Sequence, residues 1–121
     1  MKHGETTDKV LAAFYAVYNT LGYGFLEKVY ENAMYAELTE MGVQCDRQVP
    51  VKVTYKGKLV GEYFADLVVE STVIVELKCA ETIGYEHEVQ LVNYLKATGH
   101  EVGLLLNFGK KPQIRRKIFT P

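Results

Sequence analysis

Apolar residues recur at helical spacing early in the chain. Val10, Phe14, Val17 and Leu21 share one face, and Thr6, Thr7 and Asp8 offer capping oxygens, so the pattern predicts a helix over 7–21. Gly22-Tyr23-Gly24 interrupts it. A second helix is predicted over 25–41, with Leu26, Val29, Ala33 and Ala36 as its packing stripe and Gly42 as a left-handed stop. The period then falls to two. Val49, Val51, Val53 and Tyr55 alternate with Gln48, Pro50, Lys52 and Thr54, as in a half-exposed strand. Pro50 puts that strand at a sheet edge, because proline donates no ladder hydrogen bond. Lys56-Gly57 predicts a hairpin turn into a strand over 59–69. Glu70-Ser71-Thr72 turns the chain again into a nearly apolar, central strand over 73–78. Helical spacing returns over 85–98, with Gly99 as its stop. The run from Glu101 to Phe108 suits a strand buried on both faces, and a short last strand is predicted over 114–119. The order predicts an α/β class fold in one domain, 1–121: a three-strand antiparallel meander, then a helix and a further strand, giving a mixed central sheet flanked by helices.

Composition narrows the function classes. The 121 residues are 48% hydrophobic and 24% charged, an ordinary globular balance. With 14 Lys+Arg against 15 Asp+Glu, the net charge of -1 excludes binding nucleic acid or an anionic membrane by bulk charge. Local patches remain, at Lys110, Lys111, Arg115, Arg116 and Lys117 and around the first hairpin at Lys52, Lys56 and Lys58. No stretch approaches the roughly 18 apolar residues of a membrane span. The opening residues lack the apolar segment of a secretion signal, so a cytoplasmic location and no membrane partner are expected. Cys45 and Cys79 are far apart and outside any Cys-x-x-Cys pattern, which excludes a zinc or iron–sulfur centre built from cysteine alone.

Charge on a buried strand is costly unless it is paired, which draws attention to Glu76 and Lys78, two residues apart and hence on one face of the central strand. Asp66 lies on the strand before. A two-residue turn at Ser71-Thr72 would set Asp66 opposite Leu77 and send it away from Glu76. Convergence of the three charges requires an odd connection or a bulge, and one of these is expected. Glu27 and Tyr30 share a face of the second helix, and His87, Gln90 and Tyr94 share a face of the last. Each has an ordinary reading when taken singly: a structural ion pair, a solvated glutamate, core tyrosines, surface His and Gln. Together they bring acids, a lysine and a glutamine to one sheet.

In the order Glu27, Asp66, Glu76-Leu77-Lys78, Gln90-x-x-x-Tyr94, the chain resembles the PD-(D/E)xK nuclease superfamily, in particular its RecB-like and Holliday-junction-resolvase-like branches. More closely, Gly24-Phe25-Leu26-Glu27-Lys28-Val29-Tyr30 resembles the prokaryotic GxxExxY proteins position for position, as do His87-x-x-Gln90, Asn93-Tyr94-Leu95 and Gly103 to Phe108. One departure is Ala65 where the superfamily motif has proline. The resemblance implies a restriction-endonuclease-like core and a metal-dependent deoxyribonuclease with Glu27, Asp66, Glu76, Lys78, Gln90 and Tyr94 as its catalytic set. The carboxylates of Asp66 and Glu76 are hard donors that suit Mg²⁺ or Mn²⁺. The resemblance adds the backbone carbonyl of Leu77, with Glu27 acting through water or at a second ion. DNA is the implied partner, with a homodimer or a partner protein supplying further grip. A different class of function also fits: a non-catalytic nucleic-acid-binding or protein-interaction module that keeps the nuclease fold.

Overall fold

The computed structural model describes residues 2–121. Helix α1 (Gly4–Leu21) and helix α2 (Glu27–Glu40) precede strands β1 (Cys45–Tyr55), β2 (Lys58–Val69) and β3 (Val73–Lys78). Helix α3 (Tyr85–Thr98) crosses to β4 (Val102–Phe108), and β5 (Pro112–Ile118) ends the sheet. The strand order is β1-β2-β3-β4-β5. β3 and β4 are parallel, as a helical crossover requires, and every other neighbour is antiparallel. The α/β class and the mixed, helix-flanked sheet are those of a restriction-endonuclease-like core.

Two apolar layers cover the sheet. Val10, Phe14 and Val17 of α1 and Tyr30, Met34 and Leu38 of α2 pack with Leu67, Val75, Leu77, Leu104 and Phe108 on one face. Leu91, Tyr94 and Leu95 of α3 pack with Val68, Ile74 and Leu105 on the other. β4, lined on both faces, is buried along its whole length. α3 rests directly on it: a Cβ added to Gly103 would lie 2.7 Å from Leu91 Cδ1, so any larger residue there forces the Leu91 side chain to shift. No helix among the described residues is long and apolar enough to cross a membrane.

The hairpin turn falls on Lys56-Gly57, both left-handed (φ 51° and 78°), which matches the strand twist, and β1 with Pro50 is an edge strand. Gly42 ends α2 as a left-handed residue, with Val43 N–H donating to Leu38 O. Several expectations are corrected. α1 begins at Gly4 and buries Thr6 and Thr7, with Thr7 Oγ1 donating to Gly4 O, so neither threonine caps it. β1 begins at Cys45, and β5 lies over Pro112–Ile118. The stripe of α2 is Tyr30, Met34 and Leu38; Leu26 and Ala36 are exposed. Two apolar stripes of similar period run along this helix, and the aromatic ring of Tyr30, which fits against Phe108, decides which one faces the sheet.

Candidate active site

The sheet forks where the acids sit. β2 pairs with β3 only through Leu67–Val69 and Val73–Val75, while β2 continues along β1 and β3 continues along β4 to the Lys78/Asn107 pair. The connection Glu70-Ser71-Thr72 is odd, so the register sets Asp66 across from Glu76 as convergence demands. At the fork, side chains take over from the backbone ladder. Asp66 N–H donates to Glu76 Oε2 (2.7 Å), and Leu77 N–H donates to Asp66 Oδ2 (2.8 Å). The two carboxylates are thus pinned side by side. Half-buried Lys78 lies close enough for its charge to favour ionisation of both. The side chain of Leu77 belongs to the core on the α1–α2 side.

Electrostatics mark this pair as short of positive charge. Burial, and then the charge of Asp66, pushes the Glu76 carboxyl up to about 8; the side chain belongs to a residue only 5% exposed. Burial also raises Asp66, and the charge of Glu31 adds to this, against the pull of Leu77 N–H and Lys78. Adjacent hard carboxylates that resist joint ionisation form a donor set that a divalent cation fits. Among the described residues, no three His, Cys, Asp or Glu side chains close into a ready-made cage. The pair is therefore the nucleus of the site, with room for backbone and water ligands.

The Glu76 shift has a consequence for stability. Between its ordinary value near 4.5 and about 8, the folded protein holds the proton while the unfolded chain releases it. Raising pH through that window therefore favours unfolding. We expect Tm without divalent ions to fall by about 5 °C or more between pH 5 and 8. Glu76→Gln should flatten that dependence, and Mn²⁺ should restore stability at pH 8. A flat profile in metal-free wild-type protein would contradict the assignment.

The other sequence-derived residues divide between the fork and places away from it. Glu27, exposed at the first position of α2, lines a cavity of about 270 Å³ with Lys28, Glu31, Gln48, Asp66 and Leu77. Its charge reaches both Glu76 and Cys79. From the opposite layer, α3 supplies Gln90, whose Nε2 donates to Tyr94 Oη (3.2 Å), and the ring of Tyr94 lies 5.7 Å from that of Tyr63. Burial, followed by the charges of Glu76 and Asp66, pushes the Tyr94 hydroxyl up to about 12, so it stays a neutral donor. His87 is occupied elsewhere: its Nδ1 accepts Gly84 N–H (3.1 Å) at the start of α3. Tyr30 is a core residue. The C-terminal basic run is divided, with Arg115 and Lys117 on Glu88 and Arg116 donating to Lys2 O (2.9 Å); Lys110 and Lys111 remain at the β4–β5 turn.

Sequence reasoning passed over Glu31, Arg47 and Gln48. Buried Glu31 accepts from Lys28 Nζ (2.8 Å), Arg47 Nη2 (3.0 Å) and Gln48 Nε2. Burial pushes its carboxyl up, but these bonds outweigh burial and leave it below the ordinary range. The one available signal was its place four residues after Glu27 on a helix. Gln48 carried no signal at all. It sits in the middle of β1 with φ 48°, and the ladder skips from Arg47/Leu67 to Val49/Ala65 around it. Its Nε2 bridges Glu31 Oε1 and Asp66 Oδ1, the latter at 3.5 Å. A left-handed non-glycine inside a strand costs on the order of 1–3 kcal/mol and is held there by its surroundings. Gln48→Gly should keep Tm within a few degrees, because glycine accepts that φ, while any catalytic activity that depends on Asp66 should fall roughly 10-fold or more through the loss of support for its carboxylate. Full activity in a stable Gln48→Gly protein would refute that role.

Comparison with known proteins agrees with this architecture. The chain is similar in structure to SSO0001, with TM-score 0.62 and 16% identity over 78% of this chain and 50% of that one. It is also similar to the alkaline exonuclease LHK-Exo of Laribacter hongkongensis, with TM-score 0.56 and 15% identity over 77% and 55% of the two chains. Hjc, a Holliday junction resolvase of Archaeoglobus fulgidus, aligns at TM-score 0.45 and 20% identity over 74% and 72%. The chain thus spans about half the length of the first two. No curated protein matches it significantly in sequence. The sequence profile of the PD-(D/E)XK nuclease superfamily matches residues 4–117, nearly from end to end, and the chain belongs to that superfamily.

Proposed function

We propose that the chain, 1–121, is one catalytic domain of the GxxExxY type that hydrolyses DNA phosphodiester bonds with Mg²⁺ or Mn²⁺. The observation that carries this reading is the Asp66–Glu76 pair, locked at the fork with Lys78 on the same strand. Asp66, Glu76 and the backbone carbonyl of Leu77 would hold the ion, with Glu27 reaching it through water or serving a second one. Such an ion, when bound, polarises the phosphodiester and lowers the pKa of water beside it. Lys78 orients the attacking water and offsets the negative charge that builds on the phosphorus oxygens. Gln90 positions that water or Lys78, and Tyr94, kept neutral, donates a hydrogen bond to a phosphate oxygen. Lys52 and Lys96, which line one groove with Gln90 and Tyr94, and Lys110, which lines a cavity with Glu27, offer positive charge to the strand backbone. Nothing in this arrangement reads base edges, which fits a substrate recognised by shape or presented by a second copy or a partner protein.

The test is direct. Purified protein is incubated with single-stranded, nicked, branched and linear duplex DNA, and with RNA, in Mg²⁺, in Mn²⁺ and in EDTA. Cleavage of DNA that needs the cation and leaves RNA intact is the expected result. Binding without cleavage under all conditions would instead support a non-catalytic module on a nuclease fold.

A further inference from the structure

Beside the acids lies a second cavity of about 560 Å³, whose lining shares only Glu27 and Lys110 with the residues given roles above. Tyr23, Phe25 and Leu26 form one wall; Cys79, Ala80 and Lys110 form the other. Glu27 lines this cavity as well as the smaller one that holds Asp66, so the two spaces adjoin. The first wall is unusually apolar for a surface: Tyr23 is 56% exposed, Phe25 48% and Leu26 81%.

The Phe25 ring is held in place. Phe108 stacks on Tyr30 at 4.1 Å between ring centroids, and Tyr30 meets Phe25 edge-on at 6.2 Å, so a line of rings runs from the core to the surface. The Tyr30 hydroxyl donates to Gly22 O (2.7 Å) and accepts Phe25 N–H (3.2 Å), which fixes the loop backbone. At Gly24, φ is 112° and nothing lies within 4 Å of where a Cβ would be, so the space beside Phe25 is open. The facing wall is equally firm. Buried Asn107 accepts Ala80 N–H and donates to Ala80 O, both at 2.9 Å. A rigid, half-exposed ring loses little entropy on binding a flat partner.

We propose that this cavity is a nucleobase site: an unpaired base next to the scissile phosphate stacks on Phe25 and Tyr23, and Lys110 meets the strand's phosphate. The assignment rests on the nuclease reading and deepens it, because a base can enter only from a single strand, a frayed end or a branch. Aromatic stacking is tolerant of base identity, in keeping with a site that reads no sequence.

A double-mutant cycle tests it on the full chain. Fluorescence anisotropy in Ca²⁺ compares an oligothymidylate with an abasic deoxyribose-phosphate strand of equal length, for wild type, Phe25→Ala, Tyr23→Ala and Phe25→Trp. Wild type should prefer the strand with bases by roughly 10-fold. Phe25→Ala should reduce that preference to about threefold or less, while Phe25→Trp keeps it. Thermal unfolding of each variant confirms that this exposed substitution leaves the fold intact. Equal affinity of wild type for both strands, or a preference untouched in both alanine variants, would overturn the site and hand the loop to a protein partner. Cleavage is read separately in Mg²⁺. Base-dependent binding without any cleavage defeats the nuclease reading alone; cleavage without base dependence defeats the nucleobase site alone.

Discussion

Asp66→Asn should slow DNA cleavage by about 10³-fold or more while leaving Tm unchanged or higher. The loss follows from charge: one of the two carboxylates proposed to hold the cation would become neutral, and a 10³-fold drop corresponds to only about 4 kcal/mol of transition-state stabilisation. The retained stability follows from hydrogen bonding. An amide oxygen can still accept Leu77 N–H, and the repulsion that helps to push Glu76 up disappears. Lys78→Met should show a matching loss of rate with the opposite effect on stability, since the lysine charge favours ionisation of both acids. The measurements are single-turnover rates at saturating Mg²⁺ beside thermal unfolding in EDTA. Either variant keeping activity within 10-fold of wild type would remove these residues from the chemistry.

Phe108→Ala should cost about 3–5 kcal/mol, the largest stability loss expected for a single truncation in the chain. Phe108 ends β4 and is 1% exposed, with its ring stacked on Tyr30 and edge-on to Phe14 at 4.8 Å. It is the point at which α1, α2 and the sheet meet. Truncation leaves a cavity that two helices border, and backbone relaxation cannot fill it from both sides. Urea denaturation of wild type, Phe108→Ala, Tyr30→Ala and the double variant gives the cost and the coupling; because the rings touch, the double variant should lose less than the two singles combined. A loss below about 1.5 kcal/mol would show that the site collapses onto itself, contrary to this packing.

How far the chain could be read in advance depended on how local each determinant was. α3 and the start and end of β3 stand where the pattern set them, because Gly99 and the Glu70-Ser71-Thr72 turn are local signals. The facing of Asp66 and Glu76 was also legible, as a condition on loop parity that three linking residues meet. The burial side of α2 was not, since two apolar stripes compete along it and only tertiary packing chooses. Glu31 and Gln48 were invisible for a related reason. Their roles arise where α2 lies across β1, and neither a buried glutamate nor a left-handed glutamine announces itself in a run of letters. Glu27, Lys78, Gln90 and Tyr94 were named by motif order, and their roles await the kinetic tests above.

At the fork, the groups proposed to hold the cation also close the seam between two halves of the sheet. An apolar replacement at Asp66 would leave Leu77 N–H without its acceptor, and one at Glu76 would do the same to Asp66 N–H. A lineage that gave up catalysis therefore could not shed these side chains freely. It would be channelled toward carboxamides, Asp66→Asn and Glu76→Gln, which keep the seam closed without the charge. Inactive descendants of such a domain should thus be recognisable by Asn and Gln at the fork, a trace of chemistry preserved by the needs of the backbone.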